Sequence, residues 1–220
     1  MQQALSAWVA WHCSVPTSAG AAVASQPAAA QGHAPGRRVM VLGDSLSAEY
    51  GLVRGTGWVP LLQQRLLVQR PGWQVVNASI SGDTTSGGLS RLPGLLAQHR
   101  PQVLVLELGG NDALRGLPLA NTRDNLLAMI HAAQAAQARV LLLGMQVPPN
   151  YGAQYTEAFR ALYPALAHSE RVALVPFFLQ GIGNAADPTA HFQADRIHPN
   201  APAQATMLDN VWPHLLPLLR

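Results

Sequence analysis

The alternation of strands and helices from residue 38 onward predicts an α/β domain over residues 37–220, with an open, mostly parallel, five-stranded sheet and helices on both faces. Two observations carry that expectation. Short apolar, β-favouring runs recur at residues 39–42, 73–78, 103–108, 139–145 and 172–175, separated by segments of helical period. The third run, Val103-Leu104-Val105-Leu106-Glu107-Leu108, is apolar on both faces except at Glu107, the pattern of a buried parallel strand.

The first strand, residues 39–42, stops at Gly43-Asp44-Ser45. Gly43 permits a sharp turn, and Ser45 follows at the carboxyl end of the strand, where the next helix is about to begin. A serine there is exposed, rigidly held and close to free backbone N–H groups, which suits a nucleophile. The same position also suits a helix cap. Residues 58–69 have helical period, with Pro60 in the first turn and Pro71-Gly72 past the end. The second strand, residues 73–78, leads into the polar loop Ser79-Ile80-Ser81-Gly82-Asp83-Thr84-Thr85, which offers a helix cap. The helix beyond runs to about His99, with a break expected at Pro93. The third strand ends in Gly109-Gly110-Asn111-Asp112, read as a polar loop. A helix is expected over residues 122–138 with Thr122 as its cap. The fourth strand leads to the rigid loop Pro148-Pro149-Asn150-Tyr151-Gly152. A helix over residues 155–168, disturbed by Pro164, precedes the fifth strand. A loop of about residues 180–199 then leads to a last helix that Pro213 ends or kinks.

Composition narrows the function classes. The 220 residues are 49% apolar and only 11% charged, so the chain is globular rather than disordered. The net charge of +3 does not imply a nucleic-acid partner, because all 14 basic residues are Arg and only Arg37-Arg38 are adjacent. The single Cys13 excludes an internal disulfide or a cysteine-rich metal site. Bulky Trp11-His12 before Cys13 argues against lipidation. Residues 1–36 are rich in Ala, Ser, Pro and Gln, with small-x-small patterns at Ala22-Val23-Ala24 and Ala28-Ala29-Ala30. They read as a leader or disordered segment, either an imperfect signal peptide lacking a basic start or a start placed too far upstream. No apolar run approaches the ~20 residues of a membrane span, so no stable membrane insertion is expected. A monomer is expected.

In an open parallel sheet the ligand sits outside the carboxyl ends of the strands. The loops carrying Ser45, Gly82, Asn111 and Asp195-Arg196-Ile197-His198 follow strands one, two, three and five, so connectivity alone brings them to one edge. Three residues of separation in a helical turn would put Asp195 and His198 on one face. Asp195 could then hold His198 in one tautomer, and His198 could take the Ser45 proton. The rival readings are a surface turn and a metal site with His191. Gly82 lets a backbone N–H approach a substrate closely, Asn111 supplies an amide donor, and the Ser45 N–H would be a third. Taken singly, Gly82 and Gly109-Gly110-Asn111 are turn residues. The loops after strands three and four carry apolar residues suited to an acyl chain, Leu114, Leu117, Pro149 and Tyr151 among them.

Four blocks, Gly-Asp-Ser-Leu-Ser, the loop Gly82, Gly-Gly-Asn-Asp and Asp-x-x-His-Pro, occur in order, and on them the chain resembles the GDSL, or SGNH, hydrolases. It looks most similar to their bacterial thioesterase I, lysophospholipase and arylesterase group. The supporting stretches are residues 77–84, 106–112 and 149–152, and the resemblance covers about residues 38–219. It implies a flavodoxin-like three-layer α/β/α sandwich. It implies Ser45 as nucleophile, Ser45, Gly82 and Asn111 as oxyanion donors, and Asp195 and His198 completing a triad. The implied activity is cofactor-free and metal-free hydrolysis of small-molecule acyl esters and thioesters through an acyl-enzyme, in the periplasm or outside the cell, or otherwise in the cytoplasm. The leader departs from that pattern in lacking a basic start. The alternatives are a carbohydrate acetylesterase of the same superfamily and a non-catalytic flavodoxin-like binding module.

Overall fold

Val39, Met40, Val41 and Leu42 follow one another without a polar interruption, and all four are fully buried in strand β1 (Arg37–Gly43). The computed structural model describes residues 36–220; the leader expected over residues 1–36 lies outside them except for Gly36. β1 pairs in parallel with β2 (Trp73–Asn77) on one side and β3 (Val103–Glu107) on the other. β4 (Arg139–Leu143) and β5 (Ala173–Val175) extend the parallel sheet beyond β3, giving the order β2-β1-β3-β4-β5. Parallel neighbours need crossovers. These are α1 (Trp58–Gln69), α2 (Thr85–His99), the short α3 (Gly110–Leu114) with α4 (Leu119–Ala135), and α5 (Ala153–Glu170). The last helix, α6 (Ala203–Leu215), packs on α1, while α2, α4 and α5 pack in sequence as the other layer. The expected three-layer sandwich is what forms.

The chain leaves β1 toward β2 on one side and returns to β3 on the other. The strand order therefore reverses between β1 and β3, the place where such sheets open a crevice for ligands. Ser45 and Asn111, on the loops after those two strands, flank it.

Some elements depart from expectation. α2 does not break at Pro93 but runs through to His99. A mid-helix proline costs ~3 kcal/mol. Leu92 and Leu96, buried on either side of it, each contribute about 1.5–3 kcal/mol, so packing outweighs the lost bond. α4 begins at Leu119 behind Pro118, and Thr122 lies buried within it rather than capping it. Residues 110–114, expected as a loop, wind into α3.

Candidate active site

The turn after β1 is built by Asp44. Its carbonyl accepts from Ser47 N–H and Ala48 N–H (3.2 and 2.9 Å), and its Oδ1 accepts from Leu46 N–H (3.0 Å). A carboxylate that takes its own downstream N–H groups competes with helix formation. Residues 45–50 accordingly form turns, and helix α1 waits until Trp58, so Ser45 caps nothing. Neighbouring strands anchor the turn from below. Glu107 Oε2, at the end of β3, accepts from Asp44 N–H (3.2 Å) and Ser47 O–H (2.7 Å). Trp58 Nε1–H donates to Ser47 Oγ (3.2 Å), and Asn77 Nδ2–H, at the end of β2, donates to the Ser47 carbonyl (2.8 Å).

Two buried carboxyl groups therefore lie under the turn. Glu107 is fully buried, and its Oε1 has no partner among the described residues. Burial first, and then the Asp44 charge, push its carboxyl well above the usual carboxylate range. Burial also raises Asp44 to about 6, against the opposing influence of Leu46 N–H, His198 and Asn111.

Ser45 Oγ lies 2.8 Å from His198 Nε2, and His198 Nδ1 lies 2.6 Å from Asp195 Oδ2. The carboxylate accepts the Nδ1–H, which leaves Nε2 free to accept from the serine hydroxyl. Asp195 and His198 do not meet through a helical turn. Asp195 Oδ1 accepts from Ile197 N–H (2.9 Å) and His198 N–H (3.0 Å), and Arg196 takes a left-handed φ of 58°. Desolvation raises the Asp195 carboxyl, but those two N–H bonds and the His198 ring together outweigh it and hold the group at about 2. His191, the rival metal ligand, lies in a separate turn, Pro188–His191. Among the described residues, no three His, Cys, Asp or Glu side chains gather as a metal-holding group.

Two contributors carry no mark in the sequence. The Tyr50 ring packs on His198 with centroids 4.4 Å apart, and Gln193 Nε2–H donates to the Tyr50 carbonyl (2.9 Å). The partners are more than 140 residues apart in the chain, so no local pattern could reveal them.

Gly82 has φ = 79°, a conformation in which a side chain would be strained. Its carbonyl accepts from Arg115 Nη2–H (2.8 Å). Neither the Gly82 nor the Ser45 N–H donates to another described residue. Asn111 reaches the same place: its Nδ2 donates to Asp44 Oδ2 and to the Asp83 carbonyl, both at 3.0 Å. Asn111 thus bonds the chain neighbours of Ser45 and Gly82, and it arrives with both amide hydrogens engaged. Around them, Leu114, Leu117 and Tyr151 stay exposed, and Pro149 lies in the turn Pro149–Tyr151. Tyr155 ties their two loops together, stacking on Tyr151 and donating its O–H to the Ala113 carbonyl (3.4 Å).

The sequence model of the GDSL-like lipase/acylhydrolase family matches residues 41–205. The chain belongs to that family. It is accordingly a hydrolase of ester bonds. It is 53% identical over 195 residues to the esterase TesA of Pseudomonas aeruginosa, covering 89% of this chain and 92% of TesA. It is 43% identical over 185 residues to the thioesterase 1/protease 1/lysophospholipase L1 of Escherichia coli, covering 82% of this chain and 84% of that protein. Among solved structures, a crystal structure of TesA superposes with a TM-score of 0.79 at 53% identity, over 83% of this chain and 99% of that one. The psychrotrophic esterase EstA from Pseudoalteromonas sp., inhibited by monoethylphosphonate, superposes with a TM-score of 0.77 at 37% identity, over 83% and 98%.

Proposed function

We propose that this hydrolase is a cofactor-free serine esterase that cleaves acyl esters and thioesters through an acyl-enzyme. The observation that carries the reading is the unbroken relay from Ser45 Oγ through His198 to Asp195. Ser45 Oγ attacks the acyl carbonyl while His198 Nε2 accepts its proton, and Asp195 steadies the imidazolium. The Ser45 and Gly82 N–H groups and the Asn111 amide donate to the tetrahedral oxyanion. His198 then gives the proton to the leaving alcohol or thiol. Water, deprotonated by His198, attacks the acyl-enzyme and releases the acid. Leu114, Leu117 and Tyr151 line the path of the acyl chain in this reading. Relatives named as an esterase and as a thioesterase support both substrate classes. An exported location follows if residues 1–36 act as a leader.

Labelling with a fluorophosphonate, followed by peptide mapping, tests the nucleophile. The expected adduct is on Ser45, and an unlabelled Ser45 in active protein would refute the mechanism. Hydrolysis rates on p-nitrophenyl esters and acyl-CoAs of graded length then rank the two substrate classes.

A further inference from the structure

An amide NH2 has two hydrogens, and in Asn111 one bonds Asp44 Oδ2 and the other bonds the Asp83 carbonyl. Neither is free for an oxyanion. The two acceptors differ in kind. The Asp83 carbonyl belongs to the backbone of the exposed loop next to Gly82. Asp44 Oδ2 belongs to a side chain only 3% exposed, whose other oxygen accepts from Leu46 N–H and whose own N–H is held by Glu107. The bond to Asp44 is the anchored one; the bond to the loop carbonyl is the one a substrate can replace.

We propose that Asp44 is the positioning residue of the oxyanion hole: its Oδ2 fixes the Asn111 amide by one hydrogen, so that the other passes from the Asp83 carbonyl to the oxyanion as charge develops. The inference rests on the reading of Asn111 as an oxyanion donor. It also gives Asp44 a task that an uncharged analogue cannot perform. Asp44 must accept at both oxygens, from Leu46 and from Asn111. An asparagine has one carbonyl oxygen, so its NH2 would face one of these two donors, the Leu46 N–H or the Asn111 NH2, donor to donor.

The test is a double-mutant cycle on kcat for one p-nitrophenyl ester, with melting curves for every variant. Asn111→Ala should lower kcat by about 10²–10³. Asp44→Asn should lower it by about 10², as misplacement of a catalytic group by ~1 Å does, with KM little changed. In the Asn111→Ala background, Asp44→Asn should cost little more, because the group it positions is gone. Additive losses would overturn the inference and leave the donor reading standing. So would a kcat at or above wild type in Asp44→Asn, the result expected if only the removal of negative charge mattered. A wild-type kcat in folded Asn111→Ala would overturn the donor reading, and the inference with it. A measurement on the unmutated protein guards against a variant that does not fold. In nitrogen-15 spectra of the Asn111 side chain, forming a phosphonate adduct at Ser45 should shift one amide hydrogen strongly and leave the other in place. Movement of both, or of neither, would overturn the proposal.

Discussion

Ser45 sits on a turn held by residues of other elements, namely Glu107, Asn77 and Trp58, all reaching in to Asp44 or Ser47. His198 sits on a turn held largely by its own neighbours. Asp195 takes the two following N–H groups, Gln193 N–H donates to the His198 carbonyl (2.8 Å), and Phe192 bridges Pro199. The burial follows the same division: Asp44 and Ser47 are buried, while Asp195, Arg196 and Ile197 are exposed. One half of the site is thus part of the sheet's core, and the other is a self-contained loop brought up to it. Damage to the first should spread into stability, whereas damage to the second should stay in the chemistry.

The largest effect should come from cutting the contact between the two halves. Ser45→Ala removes the proposed nucleophile and should lower kcat by about 10⁶, the loss seen for the nucleophile of subtilisin, with the melting temperature nearly unchanged. A folded variant with ester turnover near wild type would refute the mechanism. Next is the loop's own carboxylate. Asp195→Asn leaves one oxygen where Asp195 now accepts from two N–H groups and the imidazole. The amide would favour the wrong imidazole tautomer, at a cost of about 10⁴ in kcat. Because Asp195 is held at about 2, its ionised form is stabilised by the fold. That contribution is complete above 3.8 and is lost only as pH falls toward about 2, so Asp195 should not limit activity near neutrality. An acid limb of kcat that disappears in Asp195→Asn would contradict this.

The same division decides what was legible in the sequence. Asp195-Arg196-Ile197-His198 and Gly43-Asp44-Ser45 announce themselves because, within each motif, the side chains that meet at the site lie close along the chain. The sheet was legible for a related reason: runs such as Val103–Leu106 are buried throughout and admit one environment. The turn chemistry at Asp195 was not, because a carboxylate bonding to its own backbone looks like helical spacing until φ at Arg196 is known. α3 leaves no mark in the sequence because Gly109-Gly110-Asn111 reads as a turn. Thr122 looked like a cap, yet it is drawn into the core beside Asp112, with Thr122 Oγ1 at 3.4 Å from Asp112 Oδ1. Glu107 was visible as a lone charge in an apolar strand, but its partner 63 residues away was not.

Glu107 tests the sheet-anchored half. Glu107→Ala strips the acceptor from two buried donors, Asp44 N–H and Ser47 O–H, at about 1–3 kcal/mol each, and should lower the melting temperature. Glu107→Gln keeps an acceptor of the same shape and should be tolerated. The variants also differ in pH dependence. Burial raises Glu107 well above 4.5 and Asp44 from 3.8 to about 6, so the native state holds their protons longer than the unfolded chain does. Their contribution is complete below the unfolded values and is lost as pH rises through the folded ones. Wild-type stability should therefore decline with rising pH more steeply than that of Glu107→Gln. Parallel melting profiles for the two proteins would show that Glu107 is ionised in the fold.

The smallest effect expected is at Tyr50, where the two halves touch without a catalytic bond. Its ring lies on His198 at 4.4 Å and 38°, while about half the side chain remains exposed. Its backbone carbonyl, not its hydroxyl, is what Gln193 holds. The ring face therefore does the positioning, and Tyr50→Phe should keep wild-type kcat. Tyr50→Ala removes a contact of the size aromatic pairs contribute, about 0.5–1.5 kcal/mol, which is ~2- to 10-fold in rate. The loss should fall on kcat with an unchanged melting temperature, because the exposed loop contributes little to the core. Gln193→Ala should reproduce part of it by freeing the Tyr50 backbone. If Tyr50→Ala instead lowered stability and left kcat intact, Tyr50 would belong with the sheet-anchored turn, and the boundary between the two halves would lie on the His198 side of the ring.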